Sequence, residues 1–130
     1  MWRSKRLKLV LTGFLLGAVL VSGGVQAKGP FSADVQATIT VAELPGQGAQ
    51  TYERIHQDGP FAHEKDGVVF GNRERLLPAQ KRGFYREYTV AAPGARNRGV
   101  RRIVCGGPPK TPDACYYTAD HYASFRKIVP

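Results

Sequence analysis

Residues 84–104, FYREYTVAAPGARNRGVRRIV, constrain the fold more than any other stretch of this chain. Phe84, Tyr88 and Val90 alternate with Tyr85, Glu87 and Thr89, the period of a half-buried strand. Pro93-Gly94 signals a turn. Val100, Arg102 and Val104 then alternate with Arg101 and Ile103. The pattern predicts two antiparallel strands. With Tyr88, Val90 and Ile103 turned to a core, Glu87 and Arg102 emerge on the other, open face of the sheet, with Arg96 and Arg98 close by. A carboxylate among arginines suits an anionic substrate that must lose a proton: the guanidinium groups hold the anion and the carboxylate takes the proton. It also suits a solvated ladder of cross-strand ion pairs, and spacing alone does not separate the two.

The chain opens with a different kind of segment. Arg3, Lys5, Arg6 and Lys8 precede an apolar run from Leu9 to Val21, broken only by Thr12, Gly13 and Gly17. Val25-Gln26-Ala27 fits a small-residue cleavage site. The run is short for a bilayer span. Residues 1–27 are therefore expected to be a secretory signal peptide, and residues 28–130 the exported domain, 103 residues with one modest core. The expected location is extracellular, with the periplasm as the alternative, and with no stable membrane association after cleavage. Four of the 19 Lys and Arg lie in the leader, and the remaining 15 exceed the ten acidic residues by five. Such an excess favours nucleic acid or another polyanion as partner.

Cys105 and Cys115, the two cysteines of the chain, flank GGPPKTPDA. Export places them in an oxidising compartment, where a disulfide is the expected state. Strand-like sequence on both sides makes the bond a tie across a hairpin loop, contributing about 2–3 kcal/mol by restricting the unfolded chain. A metal site needs further ligands at proper spacing, and none stands near.

Elsewhere the elements are shorter. Asp34–Val41 alternates Val35, Ala37, Ile39 and Val41 with polar residues, predicting a first strand that Leu44-Pro45-Gly46 ends. Gln47–Gln57 predicts a helix with Ala49, Tyr52, Ile55 and His56 on its apolar face, stopped by Asp58-Gly59-Pro60. His56 and His63 are assigned no role.

Gly67–Phe70 predicts a short strand leading into Gly71-Asn72-Arg73-Glu74. Such a loop presents backbone N–H groups, a carboxylate and an aromatic ring together. Guanine offers N1–H and N2–H₂ as adjacent donors with the O6 acceptor beside them. A carboxylate on the donors and backbone amides on O6 select that base, with Phe70 or Arg73 covering the ring. An exposed polar loop with a Glu–Arg pair accounts for the same residues. Finally, Cys115–Phe125 predicts two strands around a tight turn near Ala119-Asp120. His121 follows that turn, beside Tyr122, where it can donate a proton near neutral pH or simply occupy the turn. Tyr116, Tyr117 and Phe125 read as packing.

DGVVFGNRERLLP, FYREYTVAAPGARNRGVRRIV and YYTADHYASF together resemble the microbial guanyl-specific ribonucleases, the RNase Sa and barnase group, and RNase Sa above all. The likeness runs from about Asp34 to Ile128, with three separated motifs in matching order and spacing. It implies an α+β fold, a single N-terminal helix packed on a twisted antiparallel sheet with the cleft on the opposite face. By the same resemblance Glu87, in the E-Y-T-V strand, is the general base, and His121, in the D-H-Y turn, the general acid. Arg98 and Arg102 match the arginines on the reacting phosphate. Glu74 matches the carboxylate that reads guanine, and Asn72 and Arg73 the main-chain contacts to the base. Phe70 matches the aromatic beneath the base, and Tyr122 a residue beside the phosphate.

The implied activity is cleavage of single-stranded RNA 3′ of G, through a 2′,3′-cyclic phosphate that is then hydrolysed. No metal or cofactor is required, since the arginines supply the positive charge. The implied partners are single-stranded RNA and an acidic inhibitor protein of the barstar kind, with a monomer as the default. Two alternatives stay open: a catalytically silent RNA-binding module on the same scaffold, and a ribonuclease toxin directed at competing bacteria. This chain also departs from RNase Sa. Gly71 replaces a larger polar residue, Thr40 stands at the first cysteine of the terminal disulfide, and Cys105–Cys115 is a different staple in a lengthened loop.

Overall fold

The structure, a computed structural model, describes residues 37–130. The predicted signal peptide and the first residues of the predicted first strand lie outside the described residues. In chain order the elements are strand β1 (Thr38–Thr40), helix α1 (Gly46–Gln57), and strands β2 (Val68–Val69), β3 (Tyr85–Thr89), β4 (Arg102–Gly106), β5 (Ala114–Thr118) and β6 (Arg126–Val129). The strands form one sheet in the order β1-β6-β5-β4-β3-β2. The predicted hairpin is its centre: β3 and β4 run antiparallel, with Tyr88 opposite Ile103 and Glu87 opposite Val104. All pairings are antiparallel except that of β1, which joins β6 in parallel at the edge.

β1 is shorter than the alternation predicts. Thr40 Oγ1 accepts from the Glu43 N–H (3.2 Å), and Glu43 Oε2 accepts from the Thr40 N–H (2.9 Å). This reciprocal box turns Val41–Glu43 into a 3₁₀ turn and ends the strand. The Thr40 N–H first, and then the Thr40 hydroxyl, hold the Glu43 carboxyl below the usual carboxylate range. Thr40 thus caps the turn that follows β1.

Helix α1 buries Gly48, Thr51 and Ile55, with Ala49 and Tyr52 partly covered. The predicted apolar face is therefore shifted. His56 is exposed, and its Nδ1 lies 2.9 Å from the Tyr52 carbonyl oxygen. The helix ends as predicted, with Asp58 left-handed at φ 61° and the Gly59 N–H donating to the Arg54 carbonyl (2.8 Å). The Thr51 hydroxyl donates to the Thr89 carbonyl (3.2 Å), pinning the helix to the end of β3.

Two cores result. Ile39, Leu44, Ile55, Tyr88, Val90, Ile103, Tyr117 and Ile128 fill the space between α1 and the sheet, together with Cys105 and Cys115. Those two cysteines face each other across β4 and β5 and are disulfide-bonded. On the opposite face Leu77, Tyr85, Val104, Tyr116 and Phe125 form a second, smaller core. That face is thus not the open surface the alternation predicts: the loop before β3 brings Leu77 and the turn before β6 brings Phe125 down onto it. Arg102, predicted on that surface, is only 3% exposed. The Cys115–Phe125 segment also holds one strand rather than two, because β5 stops at Thr118 and β6 starts at Arg126.

Candidate active site

The loop after β2 is shaped by its own side chains. The Phe70 N–H donates to the Tyr85 carbonyl (2.9 Å) at the edge of the sheet. Beyond it Asn72 (φ 48°) and Arg75 (φ 57°) adopt left-handed conformations. Asn tolerates this conformation better than most residues. Here its amide also braces the loop, donating to the Leu77 carbonyl (3.0 Å) and accepting from the Leu77 N–H (3.1 Å). The side chain of Asn72 is therefore committed to structure, and its main-chain carbonyl accepts from the Arg75 N–H (3.0 Å). The Arg73 side chain folds over Gly71, where an added Cβ would lie an ordinary 3.6 Å from Arg73 Cγ. Glu74 is exposed at the rim. The ion pairs among the described residues are Arg98–Glu87 and Lys110–Asp58, so the Glu–Arg pair weighed for this loop does not form at Glu74.

Glu87 sits in the middle of β3, and both of its oxygens are held. Arg98 Nη2 donates to Oε1 (3.0 Å) and the Tyr122 hydroxyl donates to Oε2 (2.8 Å). The simple cross-strand ladder is excluded by register, since β4 places Arg102 opposite Thr89 and Val104 opposite Glu87. Arg98 instead reaches Glu87 from the β3–β4 connection, with its Nε donating to Thr89 Oγ1 (2.9 Å). Arg96 stays exposed in that connection. Burial first, and then the Glu87 carboxylate, push the Tyr122 hydroxyl above the usual tyrosine range, so it remains a donor.

Arg102 is buried beside this group. Its Nη1 donates to the carbonyls of Arg98 (3.2 Å) and Arg101 (2.7 Å), while its buried Nε has no partner. Its guanidinium carbon lies 6.0 Å from the Tyr122 ring centroid. A buried cation with an unused N–H is costly, and an anion seated against it satisfies both charge and donor.

The turn before β6 places His121 and Tyr122. The Asp120 carboxylate accepts from the Thr118 hydroxyl (2.8 Å), the Ser124 N–H (2.9 Å) and the Ser124 hydroxyl (2.6 Å). Thr118 Oγ1 accepts in turn from the Tyr122 N–H (3.1 Å). These bonds, those to Ser124 foremost, hold the Asp120 carboxyl below its usual range. They close a wide turn in place of a tight hairpin, with His121 (φ 55°) and Tyr122 (φ 69°) both left-handed. Non-glycine residues of this size adopt that conformation only when their surroundings impose it. The His121 N–H donates to the Val100 carbonyl (3.1 Å), leaving the ring exposed. Tyr122 stacks on Phe70, with ring centroids 5.1 Å apart and planes 27° from parallel.

These parts line one cleft of about 440 Å³. Phe70, Asn72, Arg73, Glu74, Glu87, His121 and Tyr122 all border it, and so does Gly71. Arg98 and Arg102 are not among its lining residues: Arg98 is joined to the wall by its bond to Glu87, and Arg102 lies 6.0 Å from the Tyr122 ring. The periodicity did not reveal Val69, Leu76, Ala123 or Phe125 as lining residues. Nor did it single out Thr89 and Asp120 as supports, although Thr89 lies two residues past Glu87 on the same strand face. Among the described residues no cluster of three or more His, Cys, Asp or Glu is arranged to hold a metal ion.

Comparison with known proteins bears on this cleft. A ribonuclease family model matches residues 27–129. The chain is 50% identical over 95 residues to guanyl-specific ribonuclease Sa of Kitasatospora aureofaciens, covering 73% of this chain and 96% of that protein. It is 44% identical over 91 residues to guanyl-specific ribonuclease St of Saccharopolyspora erythraea, covering 70% and 86%. Ribonuclease Sa2 solved with guanosine-2′-cyclophosphate superposes with a TM-score of 0.66 at 42% identity, covering 72% of this chain and 96% of the other. Complexes of the same enzyme with mononucleotides give a TM-score of 0.67 at 42% identity, covering 72% and 94%. With one helix on a mainly antiparallel sheet and a carboxylate–arginine–histidine cleft on the far face, the chain belongs to the microbial guanyl-specific ribonuclease family.

Proposed function

We propose that this guanyl-specific endoribonuclease cuts single-stranded RNA on the 3′ side of guanosine by general acid–base catalysis without a metal. One observation carries the reading: Glu87 and His121 border the same cleft, with Arg98 bonded to Glu87 and Arg102 beside the Tyr122 ring that also lines it. Glu87 takes the proton of the 2′-hydroxyl as that oxygen attacks phosphorus. The bond from phosphorus to the 5′-oxygen breaks, and His121, as imidazolium, protonates the departing oxygen. Charge that builds on the phosphoryl oxygens is met by Arg98 and by the unused N–H of Arg102. The product is a 2′,3′-cyclic phosphate. In the second step neutral His121 takes a proton from water, the hydroxide oxygen attacks phosphorus, and protonated Glu87 returns its proton to the 2′-oxygen. Both groups are then back in their starting states, and a 3′-phosphate remains.

Guanine is held at the loop after β2. Glu74 accepts from N1–H and N2–H₂, the main chain at Asn72 and Arg73 donates to O6, and Phe70 lies beneath the ring. The names of the relatives and the guanosine-2′-cyclophosphate seen in ribonuclease Sa2 support this assignment. The basic, apolar and small-residue order of residues 1–27 supports export of the domain.

The test is cleavage of an end-labelled RNA of mixed sequence with chelator present. Cuts after G, with cyclic-phosphate ends appearing before 3′-phosphate ends, are the expected result. Retention of RNA without cutting points to a silent binding module. Glu87→Gln and His121→Ala are each expected to slow cleavage by at least about 100-fold, and near-normal turnover in either folded variant removes the role assigned to that residue.

A further inference from the structure

Arg98 is supplied by a connection between strands, and a long side chain on a loop has many rotamers to choose from. Two bonds restrict it: Nη2 to Glu87 Oε1 (3.0 Å) and Nε to Thr89 Oγ1 (2.9 Å). The first partner is a reacting group. The second does not border the cleft at all.

Thr89 is 4% exposed, and each of its polar groups is engaged. Its N–H donates to Asp66 Oδ1 (2.7 Å), its carbonyl accepts from the Thr51 hydroxyl of α1 (3.2 Å), and its own hydroxyl accepts from Arg98. Asp66 is itself fixed, its Oδ2 accepting from the His63 N–H (3.3 Å). The main chain that carries the hydroxyl meeting Arg98 is thus held from two directions, by the helix and by the loop before β2. With its main chain fixed and its side chain buried, Thr89 offers Arg98 an acceptor at a set place. A bidentate guanidinium gripped at one edge has little freedom left at the other.

We propose that Thr89 is a positioning residue for the reaction. It orients the Arg98 guanidinium so that Glu87 keeps one fixed geometry toward the 2′-hydroxyl and the remaining N–H groups of Arg98 face the phosphate. This rests on the roles proposed above for Glu87 and Arg98. It adds that the catalytic face is aligned from behind, by the helix side of the molecule. A valine at this position keeps the branched shape and removes the acceptor, whereas a serine keeps the acceptor and loses a methyl group.

The experiment measures kcat and KM on a guanosine-containing dinucleoside phosphate for Thr89→Val and Thr89→Ser. Both changes are made in the wild-type chain and in an Arg98→Lys background, in which no Nε reaches residue 89. Thr89→Val is expected to lower kcat about ten-fold, Thr89→Ser to stay within about two-fold of wild type, and Thr89→Val to cost less than about two-fold in the lysine background. The proposal is overturned by a Thr89→Val enzyme within two-fold of wild type, by an effect confined to KM, by a serine variant as slow as the valine one, or by a valine loss undiminished in the lysine background. Glu87→Gln is measured alongside. If it turns over normally, the base assignment fails whatever Thr89 does. If it is inactive while Thr89→Val is normal, only the positioning role fails.

Discussion

At the scale of single residues, Arg102 narrows most sharply what the cleft can hold. It is 3% exposed, it takes part in no ion pair among the described residues, and its Nε has no acceptor. Binding of an anion to the folded state alone raises apparent stability with ligand concentration. Inorganic phosphate and guanosine 3′-phosphate are therefore expected to raise Tm in a concentration-dependent way, and Arg102→Gln to remove most of the rise from phosphate. An equal rise in the variant would place the anion elsewhere. Glu74 has a separate task. Its carboxylate stands at the rim outside the ion pairs found among the described residues, free to accept from a base. Glu74→Ala is expected to spread the cleavage ladder from G to other bases, with kcat/KM at GpN falling about ten-fold or more, in line with the loss of paired hydrogen bonds to a buried base edge. A ladder still confined to G would return base selection to the main chain of the loop.

At the scale of elements, what was legible followed from periodicity. The alternation in Tyr85–Thr89 and Arg102–Gly106 survives as the central hairpin, because one face of each strand packs on the helix and a slip of one residue would turn every side chain over. The start and stop of α1 were also readable. The second core was readable only in part: Tyr116 and Phe125 read as packing, but Leu77 comes from a segment without regular structure, so no period announces that it joins them. The turn at 119–125 misled for a related reason: its width is set by the Asp120–Thr118–Ser124 bonds, which are side-chain chemistry rather than pattern. The roles of Glu87, His121 and Glu74 were open between function and bland surface when judged by spacing alone. Family motifs pointed one way, and Glu87, His121 and Glu74 border one cleft. The disulfide belongs to this scale too. It links facing positions of β4 and β5, ten residues apart in sequence. Replacing both cysteines by alanine is expected to lower unfolding free energy by about 2–3 kcal/mol through the freed loop alone, with a further loss because both lie in the core. Denaturant titration checks this, and a variant of unchanged midpoint would mean that the loop is already restricted in the unfolded chain.

At the scale of the whole molecule, both cores contain buried phenols, and this gives the fold an alkaline limit. Tyr85 is pushed up to about 12, chiefly by burial, and burial also raises Tyr88, Tyr116 and Tyr122. Tyr88 belongs to the helix-side core, Tyr85 and Tyr116 to the second core, and Tyr122 packs against the second core at the cleft. Below about pH 10, the ordinary tyrosine value, folded and unfolded chains keep these protons alike, so the contribution is fully present. As pH rises from there toward 12, the unfolded chain releases protons that the folded chain retains, and stability falls. Tyr85 matters most for the site, since its hydroxyl donates to the Pro78 carbonyl and so ties down the loop that forms one wall of the cleft. Tm is therefore expected to decline steeply above pH 10. Tyr85→Phe should start from a lower Tm at pH 8, having lost that bond, yet decline less steeply between pH 10 and 11.5. Parallel curves for the two proteins would mean that the alkaline transition is governed by groups other than Tyr85, Tyr116 of the same core among them, and that the loop is held by packing rather than by the Tyr85 proton.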